Sequence, residues 1–239
     1  MQPSDETSHQ AMGYDRTSIM FSPDGRLLQV EYAKKTVRQG TTSVGVVCKD
    51  GVLLIADKRV TEKLVVPRSI EKVFQIDEHI GASVSGILSD GRILIEKAQV
   101  MAQQHRMTYS VPISPESLVK EICNLKQLYT QVGGARPFGV SIMFIGYSED
   151  PHLFITDPTG IFLEYKATAM GEAENDVKEI LDKEYKESLS MQEGLKLAVN
   201  ALKKALGKEF SADRLDGAYI STDEKLLKKF KKEDFLKVK

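Results

Sequence analysis

Gly40, Thr41 and Thr42 stand at the head of the first long apolar run of the chain. A threonine hydroxyl becomes a nucleophile when the bond before it is cut, because the freed amine then acts as base for its own side chain. Left uncut, Thr41 carries an amide nitrogen and the base is missing. The other residue types that do chemistry are scattered. Cys48 and Cys123 are isolated, without CxxC spacing, which favours a reducing compartment over a disulfide framework. His9, His79, His105 and His152 have no neighbours at metal-ligand spacing, and there is no glycine-rich phosphate loop. No metal and no other cofactor is expected.

The elements that must position Thr41 begin upstream of it. Ser22-Pro23-Asp24-Gly25 is a turn: a fixed φ, a side-chain acceptor, then freedom at positive φ. After it Leu27, Val30, Ala33 and Val37 fall on one face of a short amphipathic helix, and Gly40 ends it. Thr41 to Cys48 and Val52 to Lys58 read as strands joined at Lys49-Asp50-Gly51. The second holds Val52-Leu53-Leu54-Ile55-Ala56 without alternation, which implies apolar surroundings on both faces. Val73 to Ile76 and His79 to Ser85 form another hairpin.

Helices follow at Arg92 to Tyr109, with Leu94, Ala98, Met101 and His105 on one face, and at Ser114 to Val132. In the latter Ser114 is the cap, Pro115 occupies the first turn, and Leu118, Ile122, Leu125 and Tyr129 make the stripe. Strands return at Gly139 to Tyr147, His152 to Asp157 and Ile161 to Tyr165. Two more helices are expected: Glu172 to Tyr185, and one that opens on a Ser190/Glu193 capping box, carries Met191, Leu195, Ala198 and Leu202, and stops at Gly207. Strands near Asp216 to Ser221 and Lys225 to Phe230 close the order. Grouped strands alternating with grouped helices favour layered antiparallel packing over a Rossmann-type sheet. Two face-to-face sheets, each under a helix pair, would account for strands that are apolar on both sides: an α+β, four-layer αββα sandwich.

At 239 residues the chain suits one domain, and 33 basic against 34 acidic residues give a general nucleic-acid role no electrostatic support. Lys225, Lys228, Lys229, Lys231, Lys232, Lys237 and Lys239 cluster near the C-terminus and read as a solvated helix end. No apolar run reaches membrane-spanning length and the N-terminus lacks a signal-peptide core; a cytoplasmic protein that binds no membrane is expected. Residues 1–13 are polar and aperiodic, and read as a mobile tail.

The run Tyr14-Asp15-Arg16, Phe21-Ser22-Pro23-Asp24-Gly25-Arg26-Leu27 and Gln29-Val30-Glu31-Tyr32-Ala33 closely resembles the α-subunit signature of the 20S proteasome, archaeal type. Ser69-Ile70-Glu71-Lys72-Val73, Tyr129-Thr130-Gln131, Arg136-Pro137-Phe138-Gly139-Val140-Ser141 and Glu164-Tyr165-Lys166-Ala167 stand at that family's spacing. The resemblance extends from about Tyr14 onward. Thr17-Ser18 departs from the usual Ala-Ile after Tyr-Asp-Arg, and Val132 stands where relatives commonly have an aromatic residue or histidine.

The resemblance implies the N-terminal nucleophile hydrolase fold over 41–239, an α-type segment with a helix over 14–40, and a gate tail over 1–13. It puts Thr41 where β subunits keep their catalytic threonine, with Asp57 and Lys72 near the places of the catalytic acid and lysine. The segment ahead of Thr41 carries the α signature, and cleavage would discard it, so a non-catalytic subunit is expected, with no catalytic residues. The competing readings are an active β-type threonine peptidase matured at Thr41 and a chaperone-like ring without a protease partner. The implied partners are six further α subunits in a seven-membered ring, a β-subunit ring, ATP-dependent unfoldases with C-terminal docking tails, and unfolded protein substrates. The implied sites are a gate cluster of Tyr14, Asp15, Pro23 and Tyr32; an inter-subunit docking pocket of Lys72, Leu27, Glu31 and Gly40; a channel constriction at Val132, Gly133 and Gly134; and packing of Leu27, Val30, Ala33 and Val37 between neighbours and onto the body.

Overall fold

The computed structural model describes residues 12–59, 64–66 and 69–237. The expected tail falls mostly outside them, since residues 1–11 are not described. In the Ser22 to Gly25 turn the Gly25 amide donates to the Ser22 carbonyl (2.8 Å) and the Arg26 amide to Ser22 Oγ (3.2 Å). Helix α1, Leu28–Gln39, follows directly. It buries Leu28, Val30, Ala33 and Val37 within the chain, against the ends of two strands described below. Leu27, placed on this stripe by the sequence, is instead the N-cap and only half-buried; Leu28 takes its place because the helix starts one residue later.

Strands β1 (Ser43–Cys48), β2 (Gly51–Asp57), β3 (Val73–Asp77) and β4 (Ile80–Gly86) form two antiparallel hairpins. Helices α2 (Leu88–Tyr109) and α3 (Pro115–Gln131) come next. They are followed by β5 (Val140–Tyr147), β6 (Pro151–Thr156), β7 (Phe162–Glu164) and β8 (Ala167–Met170). Then come α4 (Glu174–Glu184), α5 (Met191–Leu206), β9 (Leu215–Ser221), β10 (Leu227–Lys229) and a short α6 (Lys232–Leu236). One sheet runs β10-β9-β2-β1-β8, the other β3-β4-β5-β6-β7, with every pairing antiparallel.

The expected four layers are present. Val44, Val46, Leu53 and Ile55 face α4 and α5 on one side, and Ile142, Phe144 and Phe154 face α2 and α3 on the other. Between the sheets lie Val52, Leu54, Ala56, Met143, Ile145, Leu153, Ala218 and Ile220. Hence β2 and β5 are buried on both faces, and their uninterrupted apolar runs follow from period-two side chains meeting a core on each side. Ser43 Oγ and Ser83 Oγ hydrogen-bond across the sheets at 2.8 Å.

The caps read from sequence form as expected: Ser114 Oγ accepts from the Ser117 amide (3.2 Å), and Ser190 and Glu193 make a reciprocal box. Three boundaries differ. Helix α2 starts four residues before Arg92, without a side-chain cap and with Gly91 in its first turn, so the sequence carries no start signal there. Strand β8 has the composition Ala-Thr-Ala-Met, weak in β-formers, and exists because β1 offers it an edge. The C-terminal strand is shorter than Lys225 to Phe230, and α6 follows it. Along this end Lys228, Lys229 and Lys232 pair with Glu224, Glu71 and Asp213, surface pairs that contribute little stability.

Candidate functional site

Helix α1 leads straight into the Gly40–Thr41 bond, and backbone hydrogen bonds and close packing hold that bond in place. The Gly40 amide donates to the Val37 carbonyl (3.0 Å), and the Gly40 carbonyl accepts from the Glu172 amide (2.9 Å). Ser85 Oγ lies 3.1 Å from the Val37 carbonyl and 3.3 Å from that of Thr41. Gly40 sits so close to β4 that a Cβ there would fall 2.3 Å from the Gly86 amide nitrogen. The glycine before the threonine is therefore required for close approach of two backbones.

Thr41 Oγ1 is buried and makes no hydrogen bond among the described residues. Its neighbour Thr42 is engaged structurally: Thr42 Oγ1 accepts from the Ala173 amide (3.1 Å) and its carbonyl accepts from the Asp57 amide (2.9 Å). Asp57, almost wholly buried at the end of β2, gives both carboxylate oxygens to Arg214, with Nε donating at 2.9 Å and Nη2 at 2.5 Å. Lys72, also buried, donates from Nζ to the Val84 carbonyl at 2.6 Å. Desolvation moves its ammonium down to about 8, opposed by the negative charge of Asp57. The acid and the lysine are thus each committed elsewhere, and Thr41 has an amide for a nitrogen.

A cavity of about 210 Å3 opens beside this group, with Gly40, Thr41, Arg59, Glu71, Lys72 and Gly86 in its wall. Of the four expected docking residues, the fold brings Gly40 and Lys72 together here. Leu27 and Glu31 lie at the other end of α1 and do not line this cavity, and Glu31 faces Arg26 at 3.6 Å.

At the start of the segment Tyr32 Oη donates to Asp15 Oδ2 (3.3 Å), and Gln29 Nε2 donates to the Asp15 carbonyl (2.5 Å). Asp15 and Tyr32 are thus joined. Tyr14 is half-buried, and Pro23 is exposed in the turn. Val132 is exposed after α3, and Gly134 has φ +83°, a value that favours glycine. Ser18 Oγ is 3.5 Å from the Val132 carbonyl, so the two segments adjoin. The chain after them is anchored by Asp90, which receives both Nη atoms of Arg136 (2.6 and 2.7 Å) and the Gly139 amide (2.9 Å). The Arg136 hydrogen bonds hold the Asp90 carboxyl below its usual range.

Arg214, Ser85 and Asp90 are the site residues that sequence reasoning missed. Arg214 stands in a short 3-10 turn ahead of β9, with no local pattern to mark it. Ser85 reads as one more strand residue. Asp90 had a faint signal, as an acidic residue in a helix's first turn.

The layered sheets, with a threonine at the head of β1 whose nitrogen is a peptide amide in the uncut chain, define a protein on the N-terminal nucleophile hydrolase fold. Comparison with known proteins makes this specific. The family described as "Proteasome subunit" matches residues 37–220, and the N-terminal signature of A-type proteasome subunits matches residues 14–35. "Proteasome subunit alpha" of Methanocaldococcus jannaschii is 49% identical over 226 residues, covering 94% of this chain and 86% of the relative. Those of Thermococcus sibiricus (48%; 94% and 86% covered) and Archaeoglobus fulgidus (47%; 93% and 91% covered) are as similar. The chain belongs to the proteasome α-subunit family, archaeal type. Membership on the α side also removes the reading of a β-type peptidase matured at Thr41.

Proposed function

We propose that this chain builds the outer seven-membered ring of a proteasome core particle, stacks on a β ring, gates access of unfolded protein to the proteolytic chamber, and docks ATP-dependent unfoldases. The observation that carries this reading is the retained segment from Tyr14 to Gly40. Its helix is packed onto β4 and β5 and its last residue lies tight against Ser85 and Gly86, so it serves as a fixed part of the particle.

Head-to-tail contacts that close on rotation generate such a ring. Val30, Ala33 and Val37 are buried within the chain, so their part in the ring is to hold α1 in place, while half-exposed Leu27 is available to a neighbour. The Asp15–Tyr32 hydrogen bond supports the gate cluster; one such bond contributes about 1 kcal/mol, and repetition around a ring multiplies it. The contact of Ser18 with Val132 supports a tail rooted beside the constriction at Val132 to Gly134. Lys72 and Gly40 in one cavity support docking of a terminal carboxylate.

Deleting residues 1–13 should speed peptide hydrolysis by the assembled α–β particle. Lys72→Ala should weaken its stimulation by an unfoldase. An unchanged rate in the first experiment removes gating by the tail. Rings that never associate with a β subunit would instead point to a scaffold.

A further inference from the structure

We infer that docking at Lys72 is coupled to proton uptake, so that the affinity for a terminal carboxylate falls as pH rises through the range just above neutrality. This rests on the proposed docking role of Lys72 and adds its regulation.

Lys72 Nζ is buried, and its hydrogen bond among the described residues goes to a neutral acceptor, the Val84 carbonyl on β4. Two carboxylates lie close by. Asp57 on β2 is held by Nε and Nη2 of Arg214, which stands ahead of β9. Glu71, adjacent in sequence, pairs with Lys229 of β10 at 2.6 Å. The cations that follow β2, Lys58 and Arg59, line the same cavity, and Arg59 pairs with Glu172 and Glu209. From α1 and α2 the cavity receives Gln39 and Leu88, neither of which titrates.

A buried ammonium without a carboxylate of its own, as Lys72 stands among the described residues, loses its proton readily, and here burial brings it down to about 8. A carboxylate entering the cavity supplies the missing counter-charge and favours the protonated form. By linkage, protonation favours the carboxylate equally. An α-carboxyl titrates far below this range, so the lysine alone sets the pH dependence.

The experiment uses the assembled full-length ring and an N-acetylated peptide copied from the C-terminal tail of an ATP-dependent unfoldase, as free acid and as C-terminal amide. With an ammonium at about 8, the Kd of the free acid should rise about tenfold between pH 7 and pH 9. The calorimetric heat at pH 8 should vary with the ionisation enthalpy of the buffer, reporting proton uptake. Both effects should vanish in Lys72→Met, and Lys72→Arg should bind with a flat profile. Should Lys72→Arg not assemble, the wild-type buffer dependence decides. A flat profile in the wild type, with Lys72→Met still unable to bind, overturns the coupling and leaves the docking role standing. Wild-type binding by Lys72→Met overturns both. The same pH profile with the amidated peptide also overturns the coupling.

Discussion

Asp57 and Arg214 lie 157 residues apart in sequence and meet as a bidentate pair, with the Asp57 amide bonded to the Thr42 carbonyl. This pair occupies the carboxylate that a working lysine would otherwise share, and it ties the end of β2 to the start of β9. Breaking one partner of a buried pair strands the other, at a cost of about 3–5 kcal/mol. Arg214→Met should therefore lose about that much stability in urea unfolding, and Arg214→Met with Asp57→Asn should recover part of it. Neither variant should acquire peptidase activity, since Thr41 still has no amine.

The hydroxyl of Thr41, buried and unpartnered among the described residues, offers a second test. Thr41→Val removes a polar atom that gains nothing from the fold while keeping its shape. It should raise stability by about 1 kcal/mol. It should also leave peptide hydrolysis by the particle unchanged, and the intact mass of the wild type should include the residues before Thr41. A wild-type species beginning at Thr41 would overturn the non-catalytic reading.

Gly40→Ala places a Cβ 2.3 Å from the Gly86 nitrogen and 2.4 Å from Ser85 Oγ. The nearer contact is backbone, which cannot rotate aside. Overpacking of this kind costs about 1–3 kcal/mol, and the upper end applies here. Thermal unfolding should move down by roughly 6–12 °C. Gly134→Ala meets no neighbour within 4 Å and should cost only the strain of its positive φ, about 1 kcal/mol.

Lys126 in α3 is wholly buried, with Nζ donating to Thr156 Oγ1 at 2.9 Å, and desolvation lowers its ammonium to about 8. The folded chain therefore penalises the proton. Below pH 8 both states carry it and the penalty is complete. Between about 8 and 10.5 the unfolded chain holds more protons, so stability rises with pH. Lys126→Met, similar in volume, should be more stable than wild type at pH 7, with the gap closing by pH 10. The buried thiols of Cys48 and Cys123, raised to about 12 and about 11 by desolvation, act in the opposite sense above pH 9. Cys48 acts alike in both proteins, whereas Cys123 loses the lowering charge of Lys126 in the variant, so the lysine is read below pH 9. Urea unfolding at several pH values checks it.

Local pattern made most elements legible. The Ser190/Glu193 box, Pro115 after Ser114 and the unbroken apolar run of β2 each act over a few residues, and each was readable. Where the local signal was weak, as at Ala167–Met170 or before Arg92, the element was missed or mis-bounded, because a partner strand or a packed Gly91 decided it.

The sequence by itself determined the layered α+β class, the helix ahead of Thr41, and the family through the Tyr14 to Ala33 run. Those depend on periodicity and on the order of residues along the chain. Only the tertiary structure decided that Arg214 takes Asp57, that Lys72 turns to Val84, that Gly40 closes on Gly86, and that Leu27 and Glu31 stand apart from Lys72. These are meetings of residues distant in sequence, fixed by how two sheets stack and by which charge finds a partner once water is excluded, and no local spacing carries that information.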